Sequence, residues 1–237
     1  PYSVEKEYGV PFSYIDITKE YDNLVNNPNI RKTKIRAREL ETEISKLQQE
    51  SGYPYIINID TANKTNPIDG KIIMSNLCSE ILQVQEPSFI NGKQEYEVMG
   101  TDISCNLGST NIVNLMASPD FGQSVKTMTR ALTFVTDSSQ IDVVPTIENG
   151  NRLNHTIGLG AMGLHTYFAK NHMAYGSPES IEFTDIYFML LNYWTLVESN
   201  AIAKERGEVF HHFDKSDYAN GTYFNRYIAE NHFPHSD

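Results

Sequence analysis

Cysteine is scarce in this sequence: two residues, Cys78 and Cys105, in a chain of 237. Two thiols do not make a disulfide scaffold, and a reducing compartment, the cytoplasm, is the default expectation. Basic residues are also in deficit, with 19 Lys and Arg against 30 Asp and Glu for a net charge of −11. A surface of that sign argues against nucleic acid or an anionic membrane as the main partner. No long apolar run is present. The longest, residues 186–197, is broken by Asn192 and Thr195, and a bilayer span needs about 20 apolar residues. The opening PYSVEKEYGV lacks the basic-then-apolar order of a signal peptide. HExxH and paired Cys/His spacings are missing too, so no zinc site is expected and no metal is assigned. The seven histidines read as surface or packing residues, including His155, His165, the pair His211-His212 and the tail residues His232 and His235.

What remains is an ordinary globular composition, long enough for one large domain or two small ones and for a real core. The chain starts at Pro1 rather than Met and ends HFPHSD, which suggests a piece of a longer chain. Residues 1–30 look mixed and turn-rich. Residues 33–50 have helical spacing in Ile35, Leu40, Ile44 and Leu47, stopped by Ser51-Gly52. YPYIINID, residues 53–60, is rich in strand formers, and residues 61–70 read as loop. Residues 71–84 open as a strand. Asn91-Gly92 between apolar residues signals a hairpin. A helix is expected over 121–139 with Val125, Met128, Leu132 and Val135 on one stripe, then a loop over 145–154. Two more helices are expected over 156–170 and 178–206, the second opening on Ser177-Pro178 and stopping at Gly207. A short helix is possible near 224–230. Strands come early and helices late, which fits a mixed α/β class without clean βα alternation.

GLGAMG, residues 158–163, matches the dinucleotide pattern G-x-G-x-x-G. That motif needs a buried strand just before it, and ENGNRLNHTI makes a poor one. The expected role of these glycines is close packing of a helix.

The informative stretch is SNLCSEI, residues 75–81. On a strand, Asn76, Cys78 and Glu80 share one face at intervals of about 7 Å. An amide, a thiol and a carboxylate on one face look like substrate-handling groups. The carboxyl suits a general base, the amide suits a hydroxyl, and the thiol suits a nucleophile, a redox partner or a hydrogen-atom donor. A lone Cys is ordinarily a small buried hydrophobe. Its polar neighbours are what single out Cys78. Cys105 lies among Ser104, Asn106, Gly108 and Ser109, which suits a backbone that approaches a ligand or another sulfur closely. The residues alone leave the reaction open.

NLCSEI, then DISCNLGSTNIVNL, then HTIGLGAMGLHTYFAKNH closely resemble the large (alpha) subunit of class Ib ribonucleotide reductase. The likeness extends over nearly the whole chain, through ESGYPYIINIDTANKTNPIDGKIIMSNLCSEILQ, DFGQSVKTMTRALTFVTDSSQIDVVP and IYFMLLNYWTLVESN. The resemblance implies that residues 1–237 are part of a ten-stranded α/β barrel of two parallel halves, incomplete here. It also implies that Cys78 rides on a finger loop in the barrel's centre rather than on a flat strand. The implied activity is reduction of ribonucleoside diphosphates to deoxyribonucleoside diphosphates. Cys78 then matches the cysteine that becomes a thiyl radical, Glu80 the carboxylate that takes the 3′-hydroxyl proton, and Asn76 the amide that binds substrate hydroxyls. Asn76, Leu77, Cys78, Ser79 and Glu80 match a segment that touches the nucleotide. Cys105 matches one of two redox cysteines, whose partner lies outside residues 1–237.

No cofactor is expected on this chain itself. The resemblance implies that the radical comes from a metal-containing small (beta) subunit. It also implies a glutaredoxin- or thioredoxin-like reductant, an alpha homodimer, and allosteric nucleotides bound to parts of the subunit outside this chain. The shuttle cysteines, relay tyrosines and phosphate-binding loop fall outside as well. Two other readings stand beside this one. The first is a non-catalytic split or relic piece that serves only in interactions. The second is a stand-alone thiol redox protein using Cys78 and Cys105, which requires their Cα atoms within about 7 Å.

Overall fold

The fold is known from a computed structural model, which describes residues 1–225 and Tyr227. The chain divides into two compact units, one of Pro1–Asn66 with Lys71–Val84, the other of Pro67–Gly70 with the chain from Gln85 onward.

The first unit is helical. The turn-rich reading of residues 1–30 is corrected by α1 (Tyr2–Tyr8), a 3-10 turn at Phe12–Tyr14 and α2 (Ile17–Asn26). Asp16 starts α2 by accepting from the Lys19 backbone N–H at 3.2 Å, which satisfies one of the helix's orphan donors. Val4, Ile15 and Ile30 form the core here, with Tyr8, Phe12 and Leu24 against them. The helix expected over 33–50 is α3 (Ala37–Ser51), stopped as anticipated by Gly52 in the left-handed region.

YPYIINID does not form a strand. Residues 53–58 are irregular, and α4 (Ile59–Thr65) follows where a loop was expected. Tyr53, Tyr55 and Ile56 are exposed, and no strand pairs with this stretch among the described residues. Strand-forming side chains do not make a strand without a neighbour to take up the backbone hydrogen bonds. Residues 71–73 are instead held to α4. Asn63 Nδ2 donates to the Ile72 carbonyl at 2.9 Å, and the Ile72 N–H donates to Asn63 Oδ1 at 2.9 Å.

The second unit carries the sheet. The Asn91-Gly92 hairpin is present: β1 (Phe89–Ile90) pairs antiparallel with β2 (Tyr96–Val98). Asn91 Oδ1 accepts from the N–H groups of Lys93 and Glu95 at 2.8 and 3.0 Å, so the turn is fixed by its own side chain. Next come β3 (Leu107–Asn111), α5 (Ile112–Met116), α6 (Phe121–Ser138), α7 (Pro145–Asn154), β4 (Gly158–Met162), α8 (Leu164–Lys170) and α9 (Pro178–Arg206). β3 and β4 are parallel, with Leu107 opposite Gly158 and Asn111 opposite Met162. A parallel pair needs a long crossover, and α5, α6 and α7 supply it.

Three expectations change here. Residues 145–154 are a helix, with Pro145 in its first turn, where a missing N–H costs nothing. Residues 158–162 are a strand rather than the start of a helix, so the glycines of GLGAMG pack a strand. A Cβ on Gly158 would lie 2.6 Å from Leu107 Cδ2. On α6 the buried stripe is Val125, Thr129, Leu132 and Thr136, while Val135 is exposed. The threonines are tolerated because Thr129 and Thr136 donate to carbonyls one turn back, at 2.9 and 3.1 Å.

α9 runs from an N-cap at Ser177 to a left-handed Gly207, as expected. Ile112, Leu115, Val125, Tyr187 and Leu191 form the core, joined by Leu159, Ala161, Phe183 and Trp194. Arg130 ties α6 to α9 through Glu198 and Glu205. The fold class is mixed α/β, with short strands in the middle and helices at both ends. The helix suggested near 224–230 falls largely outside the described residues. No helix among the described residues is long and apolar enough to cross a membrane.

Candidate active site

Residues 75–82 form a tight loop. Ser75 and Leu82 make an isolated antiparallel bridge at its neck. Inside it, the Ser79 N–H donates to the Asn76 carbonyl at 3.1 Å, and the Ile81 N–H donates to Asn76 Oδ1 at 3.0 Å. Ser79 has φ 65°, a left-handed conformation unusual for a residue with a Cβ. The flat-strand arrangement of Asn76, Cys78 and Glu80 is therefore wrong. The chain turns at Ser79, and the three residues lie on a loop.

The consequence is exposure. Leu77 is 81% exposed, and Cys78 and Glu80 are exposed as well. Asn76 and Ser79 are half-buried. Asn76 spends its side-chain oxygen on the loop, which leaves its NH2 as the end that can donate to a ligand hydroxyl. The loop thus presents a thiol and a carboxylate on a tip braced by an amide.

Tyr55 belongs to this neighbourhood, and the sequence reading missed it. Its hydroxyl is held above the ordinary phenol range, first by the hydrogen bond with Tyr53 and the electrostatic influence of that ring's hydroxyl, then by burial, and least by the nearby Cys78 and Glu80. The two rings lie with centroids 5.0 Å apart. The signal was available in YPY, but it was absorbed into the strand assignment.

Cys105 lies in the second unit, just before β3, and is exposed. Its lead-in is strapped to α7. The Asp102 N–H donates to the Thr146 carbonyl at 3.0 Å, and Thr146 Oγ1 donates to Asp102 Oδ2 at 2.6 Å. Gly150 lets the strap close, because a Cβ there would run into the Asp102 carbonyl. On the other side, Asn106 Nδ2 donates to Asn151 Oδ1 at 2.7 Å and to the Thr156 carbonyl at 3.1 Å. Asn151 in turn donates to the Thr136 carbonyl at 2.8 Å. Asn106 is legible beside Cys105, whereas Asn151 and Thr146 are brought in only by the fold.

The profile of the family described as ribonucleotide reductase, barrel domain, matches residues 1–236. The chain belongs to that family. It is 41% identical over 236 residues to a ribonucleoside-diphosphate reductase subunit alpha of Bacillus subtilis (strain 168), covering 99% of this chain and 34% of that protein. With the subunit alpha of Mycoplasma pneumoniae it is 44% identical over 229 residues, covering 96% of this chain and 32% of that protein. Among solved structures, the class Id ribonucleotide reductase alpha subunit of Actinobacillus ureae superposes with a TM-score of 0.59 at 21% identity. That superposition covers 90% of this chain and 36% of that one, which supports the fold. The chain spans about a third of the length of the curated relatives it matches. The mixed helix–sheet architecture is accordingly a portion of the reductase barrel.

Proposed function

We propose that residues 1–237 are a partial catalytic barrel domain of a class Ib ribonucleoside-diphosphate reductase alpha subunit, acting in the cytoplasm on ribonucleoside diphosphates. The observation that carries this reading is the 75–82 loop, where Asn76 braces a tip that presents Cys78 and Glu80 together. The class Ib assignment is supported by the extent of the resembling runs, from ESGYPYIINID to IYFMLLNYWTLVESN.

In this reading Cys78 is the thiyl that takes the ribose 3′ hydrogen, and Glu80 accepts the 3′-hydroxyl proton. The Asn76 NH2 holds the substrate hydroxyls. A carboxylate suits that role because proton removal must keep pace with hydrogen-atom removal at the same carbon. A thiyl radical needs a source outside this chain, a small metal-containing subunit. Cys105 reduces the substrate together with a second cysteine that lies beyond these residues, and the pair is restored by a glutaredoxin- or thioredoxin-like dithiol. An alpha homodimer and allosteric nucleotide sites elsewhere in the subunit complete the proposal.

The stand-alone thiol redox alternative is not favoured, since neither cysteine sits in a C-x-x-C motif. The test is Cys105→Ser in the assembled enzyme. Multiple turnover supported by dithiol reductants is expected to stop, and turnover at the parent rate would remove Cys105 from the chemistry.

A further inference from the structure

We propose that Glu86, His211 and His212 form a binding site for a divalent transition-metal ion of the zinc type, separate from the thiol–carboxylate loop and independent of the reductase reading. All three belong to the second unit, and their ligand atoms lie within 4.8 Å of one another. The sequence reading treated both histidines as surface or packing residues, because nothing in the order of the chain links them to Glu86.

The geometry favours a shared ion over a simple ion pair. His211 Nε2 and His212 Nε2 both face the same carboxylate oxygen, Glu86 Oε1, at 3.4 and 3.2 Å. A charge-assisted N–H···O bond is shorter, about 2.7–2.9 Å. Ligands about 2.0–2.1 Å from a tetrahedral zinc stand roughly 3.3 Å from each other, which is the separation of each imidazole from the carboxylate here. Two imidazoles and a carboxylate are a donor set that zinc takes with a fourth position open, and imidazole disfavours magnesium or calcium.

The arrangement is held from both sides. Consecutive side chains on an extended backbone point to opposite faces. His212 has φ 68°, and that turn brings the two rings to the same side with centroids 3.9 Å apart. The His211 N–H is anchored on the Leu153 carbonyl at 2.9 Å. Glu86 is pinned by the buried Thr101: its N–H donates to Thr101 Oγ1 at 3.0 Å, and its carbonyl accepts from the Thr101 N–H at 3.0 Å. The side chains keep 40% (Glu86), 43% (His211) and 22% (His212) of their exposure, so an ion can enter from solvent. An ion bound there would clamp the segment after α9 onto the base of the β1–β2 hairpin.

The experiment is calorimetric titration of the full chain with Zn2+ alone, in a Cys78→Ser/Cys105→Ser background that removes thiolate ligands. Cobalt absorption reads the coordination. One equivalent of Zn2+ is expected, with tetrahedral cobalt bands, no heat from Mg2+, and release by a chelator. Glu86→Gln and His211→Gln, each checked for unchanged circular dichroism, are expected to weaken that equivalent at least tenfold and abolish the bands. Unchanged affinity in either variant would overturn the site, and so would the absence of any saturable Zn2+ binding in the parent. His212→Gln serves as the third variant if one of the others fails to fold, with the same expected loss.

Discussion

The two cysteines sit in opposite kinds of surroundings. Cys78 rides on an exposed loop braced chiefly by one asparagine, in a unit whose buried core cluster is Val4, Ile15 and Ile30. Cys105 opens a strand whose approach is strapped by Asp102, Thr146, Asn106 and Asn151, beside a core of Ile112, Leu115, Val125, Tyr187 and Leu191. In the proposed reading the contrast suits different tasks. A residue that must meet a substrate needs an accessible tip. A residue that must return to one geometry after each oxidation needs a fixed backbone. Both thiols are exposed, and what separates the two sites is the bracing of the flanking backbone.

The sharpest test of that contrast is a pair of core truncations. Ile112→Ala in the second unit is expected to cost about 2–5 kcal/mol. Val4→Ala in the first is expected to cost about 1.6 kcal/mol, from two buried methylene equivalents at about 0.8 each. Denaturant unfolding followed by Trp194, the one tryptophan, reads the second unit directly. The reverse order of effects would mean that the first unit is the better packed.

Gly150→Ala sharpens the comparison at the site itself. Its Cβ would meet the backbone carbonyl of Asp102, which cannot swing aside as a side-chain end can. A loss of about 1–3 kcal/mol is expected, the range for overpacking, with slowed dithiol-dependent turnover. Gly158→Ala meets only the end of the exposed Leu107 side chain and is expected to cost less. Equal losses in thermal melts would show that the strap is not what fixes Cys105.

The smallest effect is acid sensitivity. Asp137 is held below the ordinary carboxylate range, first by its hydrogen bond to Arg206 and less by His155, against the opposing effect of burial. A depressed folded-state value adds stability that is complete above the ordinary value of 3.8. That stability is lost as pH falls through the lower folded value. Asp137→Asn is expected to flatten the acid limb of a stability–pH curve below about pH 4 and to lower stability at neutral pH. An unchanged acid limb would exclude this pair as its source.

Much of the helical framework was legible in the sequence. α3 and α6 announce themselves by spacing, and α3 and α9 by their ends, Gly52, Ser177 and Gly207. Each of these signals is local. The strands were harder because a strand depends on its neighbour. GLGAM carries no strand-forming residue beyond its apolar side chains, yet it pairs with β3. YPYIIN carries many and pairs with nothing among the described residues. At the site, the sequence placed Asn76, Cys78 and Glu80 within one short stretch, but only the left-handed Ser79 shows that the stretch is a loop and not a strand. Thr146, Asn151 and the Glu86–His211–His212 cluster were invisible because their partners lie far along the chain.

The central claim is that the 75–82 loop does the radical chemistry, and Cys78→Ser in the assembled reductase tests it most directly. The exposed position predicts a stability change within about 0.5 kcal/mol and reduction of ribonucleoside diphosphates lowered to background. Substantial reduction by that variant would contradict the account, whatever Cys105 does.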